Sequence, residues 1–129
     1  MGNHGQALDL CEQALVLHQK LGNRGYEAHA LSCLAETRLQ SGDPAGAVPH
    51  YRQSLVLFQE LGDRYAEASI LAYLGACHHL AGDHAAAREQ WRDAHALLGE
   101  LDPSTADQIH GQLSIVDESV ADEFRRRRA

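Results

Sequence analysis

The sequence predicts an all-α protein made of repeated helical hairpins, and three observations support this fold class. Alanine and leucine dominate the apolar residues, which are 44% of the chain, whereas aromatic residues make up only 5%. Alanine and leucine are strong helix formers, and strands favour β-branched and aromatic side chains. The chain also repeats itself at a shift of 40 residues, and glycine-containing turn signals recur between its segments. Together these features indicate helix–turn–helix units in series.

The repeat is visible when residues 21–60 are aligned with residues 61–100, because no gap is needed. The same shift places residues 2–20 over residues 42–60, which form the second half of the unit. We therefore expect the chain to begin inside a repeat, either as a fragment of a longer protein or as a domain that lacks one helix. The identical pairs of the long alignment include Leu21/Leu61, Gly22/Gly62, Leu31/Leu71, Leu34/Leu74, Gly42/Gly82 and Asp43/Asp83.

Turn signals define where each predicted helix begins and ends. Residues 42–44 (Gly-Asp-Pro) combine a helix stop, an N-cap aspartate and a proline suited to the first helical position, and residues 82–84 (Gly-Asp-His) repeat this punctuation. The motifs Leu-Gly-Asn-Arg at 21–24 and Leu-Gly-Asp-Arg at 61–64 mark the other breaks, with Asn or Asp as the expected cap. Pro49 lies past the first turn of its helix, where we expect a slight kink but no break.

These signals predict four units: a half repeat at 1–21 with the second helix only, repeats at 22–61 and 62–101, and a C-terminal capping helix at 102–129. The last unit departs from the repeat pattern, as expected for a terminal element that has no neighbour on one side. Its apolar residues recur at steps of three and four: Ile109, Leu113, Val116, Val120 and Phe124.

The units resemble the tetratricopeptide repeat family, whose pattern is W-x2-L-G-x2-Y, then A-x3-F, an alanine and a proline. Leucine replaces the tryptophan, arginine or histidine replaces the tyrosine, the final proline is absent and the period is longer. The units are therefore most similar to the long-period variant of kinesin light chains and actinobacterial regulators, and the resemblance implies a right-handed α-solenoid. The matching residues are Leu31, Leu34, Ala35 and Arg38, then Ala47, Tyr51 and Ser54, with Leu71, Leu74, Gly75, His78, Ala87, Trp91 and Ala94 in the next repeat.

The resemblance also implies a binding surface, since the first helix of each hairpin lines a concave groove in this family. The surface is mostly small, neutral and polar, and it lacks the Lys/Arg clamp with which some relatives capture a terminal carboxylate. The alternative interpretation is a solvated scaffold face without a ligand. Transferred position by position, the predicted groove residues are His29, Ser32, Glu36, Gln40, Ser69, Ala72, Ala76 and His79.

The half repeat suggests a second surface. Its apolar residues occupy positions that complete repeats bury against their own first helix, so we expect an exposed strip, and such strips mark interaction sites. Two copies of the chain could bury these strips against each other as a homodimer. The strip consists of Ala7, Cys11, Ala14 and Leu15.

Charge and composition argue against several classes of partner. A net charge of −7 does not suit a protein that binds the phosphate backbone of nucleic acid. No stretch is apolar enough to span a bilayer, and the N-terminal residues lack the pattern of a secretory signal. The basic run at 125–128 follows four acidic residues at the end of a predicted helix. It either contacts nucleic acid or an acidic partner, or supplies favourable charge at a helix C-terminus, and we favour the second interpretation.

No residue pattern indicates catalysis, a metal or a cofactor. No two of the nine histidines are three or four residues apart, so a single helix cannot present two of them to one ion. Cys11, Cys33 and Cys77 are odd in number and lack metal-type spacing, which favours a reduced, cytoplasmic setting with three small packing side chains.

The sequence thus predicts a non-enzymatic protein- or peptide-binding module of a larger cytoplasmic regulatory protein. The partner would be a peptide, another protein or another domain of the parent chain. The alternative is a small-molecule or signal-peptide sensing domain of a transcriptional regulator.

Overall fold

The computed structural model describes residues 4–101, apart from the side chains of residues 100 and 101. The predicted capping helix at 102–129, with its arginine run, lies outside the described residues. Within the described part all regular structure is helical, as the sequence predicts. The helices are α1 (His4–Leu21), α2 (Arg24–Gln40), α3 (Pro44–Leu61), α4 (Arg64–Leu80) and α5 (His84–Leu101).

The helices pack in chain order. Extensive contacts join α1 to α2, α2 to α3, α3 to α4 and α4 to α5. Two hairpins, α2–α3 and α4–α5, therefore follow one another, with α1 packed on the outer side of the first. This arrangement confirms the predicted fold of serial helical hairpins.

Left-handed glycines separate the helices. Gly22, Gly42, Gly62 and Gly82 all have positive φ angles, between 71° and 88°, a region that glycine enters without steric cost. Each reverses the chain within a two- or three-residue turn. The shortness of these turns keeps successive helices adjacent.

The predicted aspartate caps are present. Asp43, Asp63 and Asp83 each accept a hydrogen bond from the backbone N–H three residues later, at 2.9 to 3.1 Å. Asn23 occupies the equivalent position before α2 with a similar backbone conformation, but its side chain accepts no cap hydrogen bond. A carboxylate is the stronger acceptor at a helix N-terminus. Pro49 lies within α3, which continues past it to Leu61.

The core consists of two clusters, and the first includes residues of α4 as well as of α2 and α3. The first cluster surrounds Tyr51, which is 1% exposed, and the second surrounds Trp91, which is 3% exposed. Trp91 packs directly on Gly75 and donates a hydrogen bond from Nε1 to the carbonyl of Ala72 at 2.9 Å. A small residue on α4 therefore allows a large one on α5.

Two of the three cysteines depart from the expectation of separate packing thiols. The sulfur atoms of Cys11 and Cys33 form a disulfide that joins α1 to α2, while Cys77 is free and buried. The pairing has a structural reason, because positions 11 and 33 face each other across two neighbouring helices. Tyr51 and Tyr73, 40 residues further on, face each other in the same way.

Candidate interaction surface

Helices α2 and α4 frame a cavity of about 350 Å³ on one face of the array. Three of the predicted groove residues, His29, Ser32 and Ser69, lie in its wall. Residues from the end of α3 and from the turn before α4 complete it. The lining residues are His29, Ser32, Phe58, Asp63, Tyr65, Ala66, Ser69, Ile70 and Tyr73.

The helical period explains why α4 forms one wall. Tyr65, Ser69 and Tyr73 are spaced four residues apart, so they share one face of α4. The opposing residues of α2, His29 and Ser32, are smaller than tyrosine. The space between the helices is therefore left open and not filled from both sides.

Ring contacts hold the aromatic walls in place. The ring of Tyr73 stacks parallel to that of the buried Tyr51, with centroids 5.5 Å apart. His29 meets Phe58 edge to face at 5.1 Å. Burial is the main cause that raises the pKa of Tyr51 above its ordinary value, so this ring stays neutral at physiological pH. Stacked rings lose little further freedom when a ligand binds, which favours affinity.

The base of the α2 wall contains a small polar network. Ser54 of α3 is fully buried, and its hydroxyl donates to the carbonyl of Ala28 at 2.8 Å. The hydroxyl of Ser32 lies 2.7 Å from that of Ser54 and 3.1 Å from the same carbonyl. Each hydroxyl has one proton, so two protons serve three contacts. Ser32 is thereby fixed at the edge of the cavity.

The remaining predicted groove residues lie elsewhere. Glu36 and Gln40 are exposed further along α2, where the Gln40 amide donates to the Glu36 carboxylate at 3.3 Å. Ala72 and Ala76 are partly buried against the second core cluster. His79 contacts α5, with its Nδ1 3.1 Å from Nδ1 of His84. The structure thus brings three of the eight residues together at the cavity and leaves five outside it.

Sequence reasoning missed the two residues that dominate the cavity, Tyr65 and Tyr73. Their counterparts in the preceding repeat are Gly25 and Cys33, so a position-by-position transfer between repeats gave no aromatic signal. The spacing of Tyr65 and Tyr73 on either side of Ser69 was a usable signal. Residues four apart on a helix share a face, and Ser69 was already assigned to the groove.

The predicted strip on α1 is less exposed than expected. Cys11 is buried, and Ala7, Ala14 and Leu15 are half-buried, because α2 covers this face and Leu15 packs against the first core cluster. The exposed apolar side chains of α1 are instead Leu10, Val16, Leu17 and Leu21. They were missed because the prediction followed the most buried positions of complete repeats.

Neither metal nor membrane chemistry is indicated by the part of the chain that the structure describes. Residues 4–101 contain no group of three His, Cys, Asp or Glu side chains arranged to hold a metal ion. Among the five helices none combines the length and apolar character required to cross a bilayer.

Comparison with protein families decides the relationship. The profile of the family described as Tetratricopeptide repeat matches residues 1–55 and 26–100, which together cover most of the chain. The chain belongs to the tetratricopeptide repeat family. This confirms the family suggested by the sequence motifs. A search of curated proteins gives no significant match.

Solved structures confirm the tetratricopeptide fold. A Rap protein complexed with Competence and Sporulation Factor is similar, with a TM-score of 0.79, 20% identity and 94% of this chain covered. BtubC (BKLC) from P. vanneervenii is similar with a TM-score of 0.72, also at 20% identity and 94% coverage. The chain spans 35% and 52% of the lengths of these two structures. At this identity the likeness shows the fold, which in the tetratricopeptide family generally provides a non-catalytic scaffold for protein interactions.

Proposed function

We propose that this tetratricopeptide chain is a non-enzymatic scaffold that binds an extended peptide or protein segment along α2 and α4. The anchor would be an apolar or aromatic side chain of the partner, inserted in the cavity between Tyr65, Tyr73 and His29. Each helix makes its extensive contacts with the helices next to it in the chain. Stacked repeats of this kind leave an extended surface open along the array, where a partner can bind.

The cavity is the observation that carries this proposal. Tyr65 and Tyr73 are 54% and 45% exposed although they lie beside a core cluster. Exposed tyrosines in a concave surface are typical of interface anchors, since they offer a large contact area with few rotatable bonds. The fixed position of Tyr73 on Tyr51 adds pre-organisation.

Selection from a phage-displayed peptide library tests the proposal. The wild-type chain should enrich peptides that share an apolar or aromatic anchor residue. A Ser69→Trp variant, which fills the cavity, should lose these peptides. A Glu89→Trp variant, which adds the same ring at an exposed site on α5, should retain them. Peptides retained equally by both variants would place binding elsewhere and contradict the proposal.

A sensor of small molecules or signal peptides is the second candidate. Its support is the cavity volume of about 350 Å³, which lies within the range of small-molecule sites, roughly 300–1,000 Å³. The similarity to a Rap protein complexed with a factor agrees with this candidate. A thermal-shift screen with small molecules separates a small-molecule sensor from a protein scaffold, because only the sensor gains stability from a small ligand in solution.

The wider setting is also part of the proposal. The described helices would form a half repeat and two complete repeats of a larger cytoplasmic regulator of bacterial origin, similar to actinobacterial regulators. The partner could then be another domain of the parent chain. Expression of the parent with and without the Ser69→Trp change would test for such an internal contact by limited proteolysis.

We further propose that α1 mediates homodimer formation. Leu17 is 52% exposed, whereas Leu57, its counterpart in α3, is 7% exposed. Glu12 and Lys20 lie four residues on either side of Val16 and line one shallow cavity with it. In an antiparallel pair centred on Val16, Lys20 of each copy would therefore face Glu12 of the other.

The oligomeric state measured by light scattering tests this proposal. The mass should rise towards that of a dimer with concentration and fall to the monomer value for Leu17→Glu. Leu80→Glu is the matched control, because Leu80 is the same residue type and is 66% exposed but lies on α4. A monomeric wild type at high concentration would contradict a homodimer.

A further inference from the structure

The junctions between successive repeats use two different chemistries at the same pair of positions. At the α3–α4 junction, Tyr51 and Tyr73 stack with parallel rings. At the α1–α2 junction, 40 residues earlier, Cys11 and Cys33 occupy the equivalent positions and are joined by their sulfur atoms. Their Cα atoms are 6.1 Å apart, within the range that a disulfide spans.

The two cysteines differ in accessibility. Cys11 is buried between the helices, whereas Cys33 lies on the exposed side of α2. A small-molecule thiol can therefore reach the sulfur of Cys33 before that of Cys11. Thiol–disulfide exchange requires such access to one sulfur.

The third cysteine does not compete for this pair. Cys77 is fully buried on α4, and burial raises its pKa to about 11. It therefore stays protonated at neutral pH, and the thiolate is the form that attacks a disulfide. The pairing of Cys11 with Cys33 is protected from reshuffling.

The covalent bond matters more here than at the other junction. Two cysteine side chains are much smaller than two tyrosine rings. Without the disulfide, the α1–α2 contact therefore lacks the packing that Tyr51 and Tyr73 provide one repeat later. Within the described residues, α1 packs extensively against α2 alone. The state of the sulfur pair thus decides how firmly α1 is held.

We propose that Cys11 and Cys33 form a redox modification site that fixes α1 to the array when oxidised and releases it when reduced. When the disulfide forms, the Cys33 thiolate first attacks a small-molecule disulfide and forms a mixed disulfide, and one small thiol leaves. The Cys11 thiolate then attacks the Cys33 sulfur and expels the second small thiol. Two electrons pass from the protein to the small disulfide, and the two protons end on the two released thiols. In a reducing compartment the open dithiol is the resting state and oxidation is the signal.

Alkylation and intact-mass analysis test the chemistry. After equilibration with oxidised glutathione and unfolding, one cysteine, Cys77, should react with iodoacetamide, and after reduced glutathione all three should react. Full labelling of Cys11 and Cys33 after oxidised glutathione would overturn the proposal. A Cys77→Ala variant should still form the bond, and loss of bonding in that variant would also overturn it.

Hydrogen exchange tests the consequence for α1. Oxidation closes a loop of sequence separation 22 and should slow amide exchange in α1 by on the order of a hundredfold, while α4 changes little. Cys33→Ser should show the fast exchange of the reduced state under both conditions. A Cys11→Tyr, Cys33→Tyr double variant introduces at this junction the tyrosine pair of the next one. It should slow amide exchange in α1 independently of redox conditions. Equal exchange of wild-type α1 in both states would refute control by the bond.

Discussion

Gly75 and Trp91 are in direct contact across the α4–α5 hairpin, and the indole ring occupies the space where a β-carbon at position 75 would lie. The ring cannot easily retreat, because its Nε1 donates to the carbonyl of Ala72 at 2.9 Å. The equivalent position in the preceding repeat is Ala35, opposite the smaller Tyr51. The size of one residue is therefore matched to the ring that faces it.

This contact predicts that Gly75→Ala destabilises the fold by about 1–3 kcal/mol, the usual cost of overpacking a core. Gly99→Ala on α5 is the matched control, since no atom of the described residues lies within 4 Å of its added β-carbon, and it should be neutral or stabilising by up to about 1 kcal/mol. Urea unfolding measures both. Equal effects of the two substitutions would show that position 75 is not packed as described.

The Ser32–Ser54 network predicts non-additive substitutions. Ser54→Ala should lower the free energy of unfolding by about 1 kcal/mol, because a buried hydroxyl loses its hydrogen bond to the Ala28 carbonyl. Ser32→Ala should cost less, since Ser32 is less buried. Because the two hydroxyls share protons, the double variant should cost less than the sum of the single ones, and a double-mutant cycle measures this coupling. Additive costs would mean that the hydroxyls act independently.

We expect His50 to make the stability of the fold sensitive to acid. Burial is the largest cause that lowers its pKa from the ordinary value of 6.5, Arg38 lowers it further, and Glu12 opposes them. The folded state therefore binds a proton on His50 less readily than the unfolded state. The stability from this group is fully present above pH 6.5 and is lost as the pH falls through the lowered folded-state pKa.

The measurement compares wild type and His50→Gln by urea unfolding between pH 7.5 and pH 5. Below pH 6.5 the variant should lose less stability than the wild type. If the free energy of unfolding changed with pH in the same way for both proteins, His50 would not contribute. The other histidines are present in both proteins, so their effects cancel in the comparison.

Tyr65 should be an anchor for any peptide selected by the cavity. Tyr65→Ala should weaken binding of such a peptide by about 10- to 100-fold, the range of an interface hot spot, while leaving the fold intact because the side chain is largely exposed. Tyr26→Ala removes a tyrosine of α2 that is also exposed but does not line the cavity, and this variant should bind as the wild type does. Fluorescence anisotropy of a labelled peptide measures both, and equal losses would argue against a localised anchor.

The repeat signal allowed the helices to be predicted from the sequence because turn chemistry is local. Left-handed Gly42 followed by capping Asp43 sets a boundary without reference to the rest of the fold. The cavity could not be predicted in the same way, because it depends on differences between repeats. Tyr73 stands where the preceding repeat has Cys33. An alignment of the repeats identifies the positions they share and gives no weight to such a difference.

The sulfur pair escaped prediction for a related reason. An odd number of cysteines and their spacing say nothing about which two positions face each other across neighbouring helices. The stacking of Tyr51 on Tyr73 defines that geometry, and it becomes visible only when the helices are packed. The shift of the α1 strip to Leu10 and Leu17 likewise depends on which face α2 covers.

Successive packing, in which each helix makes extensive contacts with its chain neighbours, has a mechanical consequence. Force applied to the two ends of the chain acts on all the inter-helix contacts in series, so the weakest contact breaks first. The aromatic junction around Tyr51 and the sulfur junction at Cys11 and Cys33 have different strengths. In a single-molecule experiment, reducing agent should therefore lower the force of one extension step and leave the others unchanged.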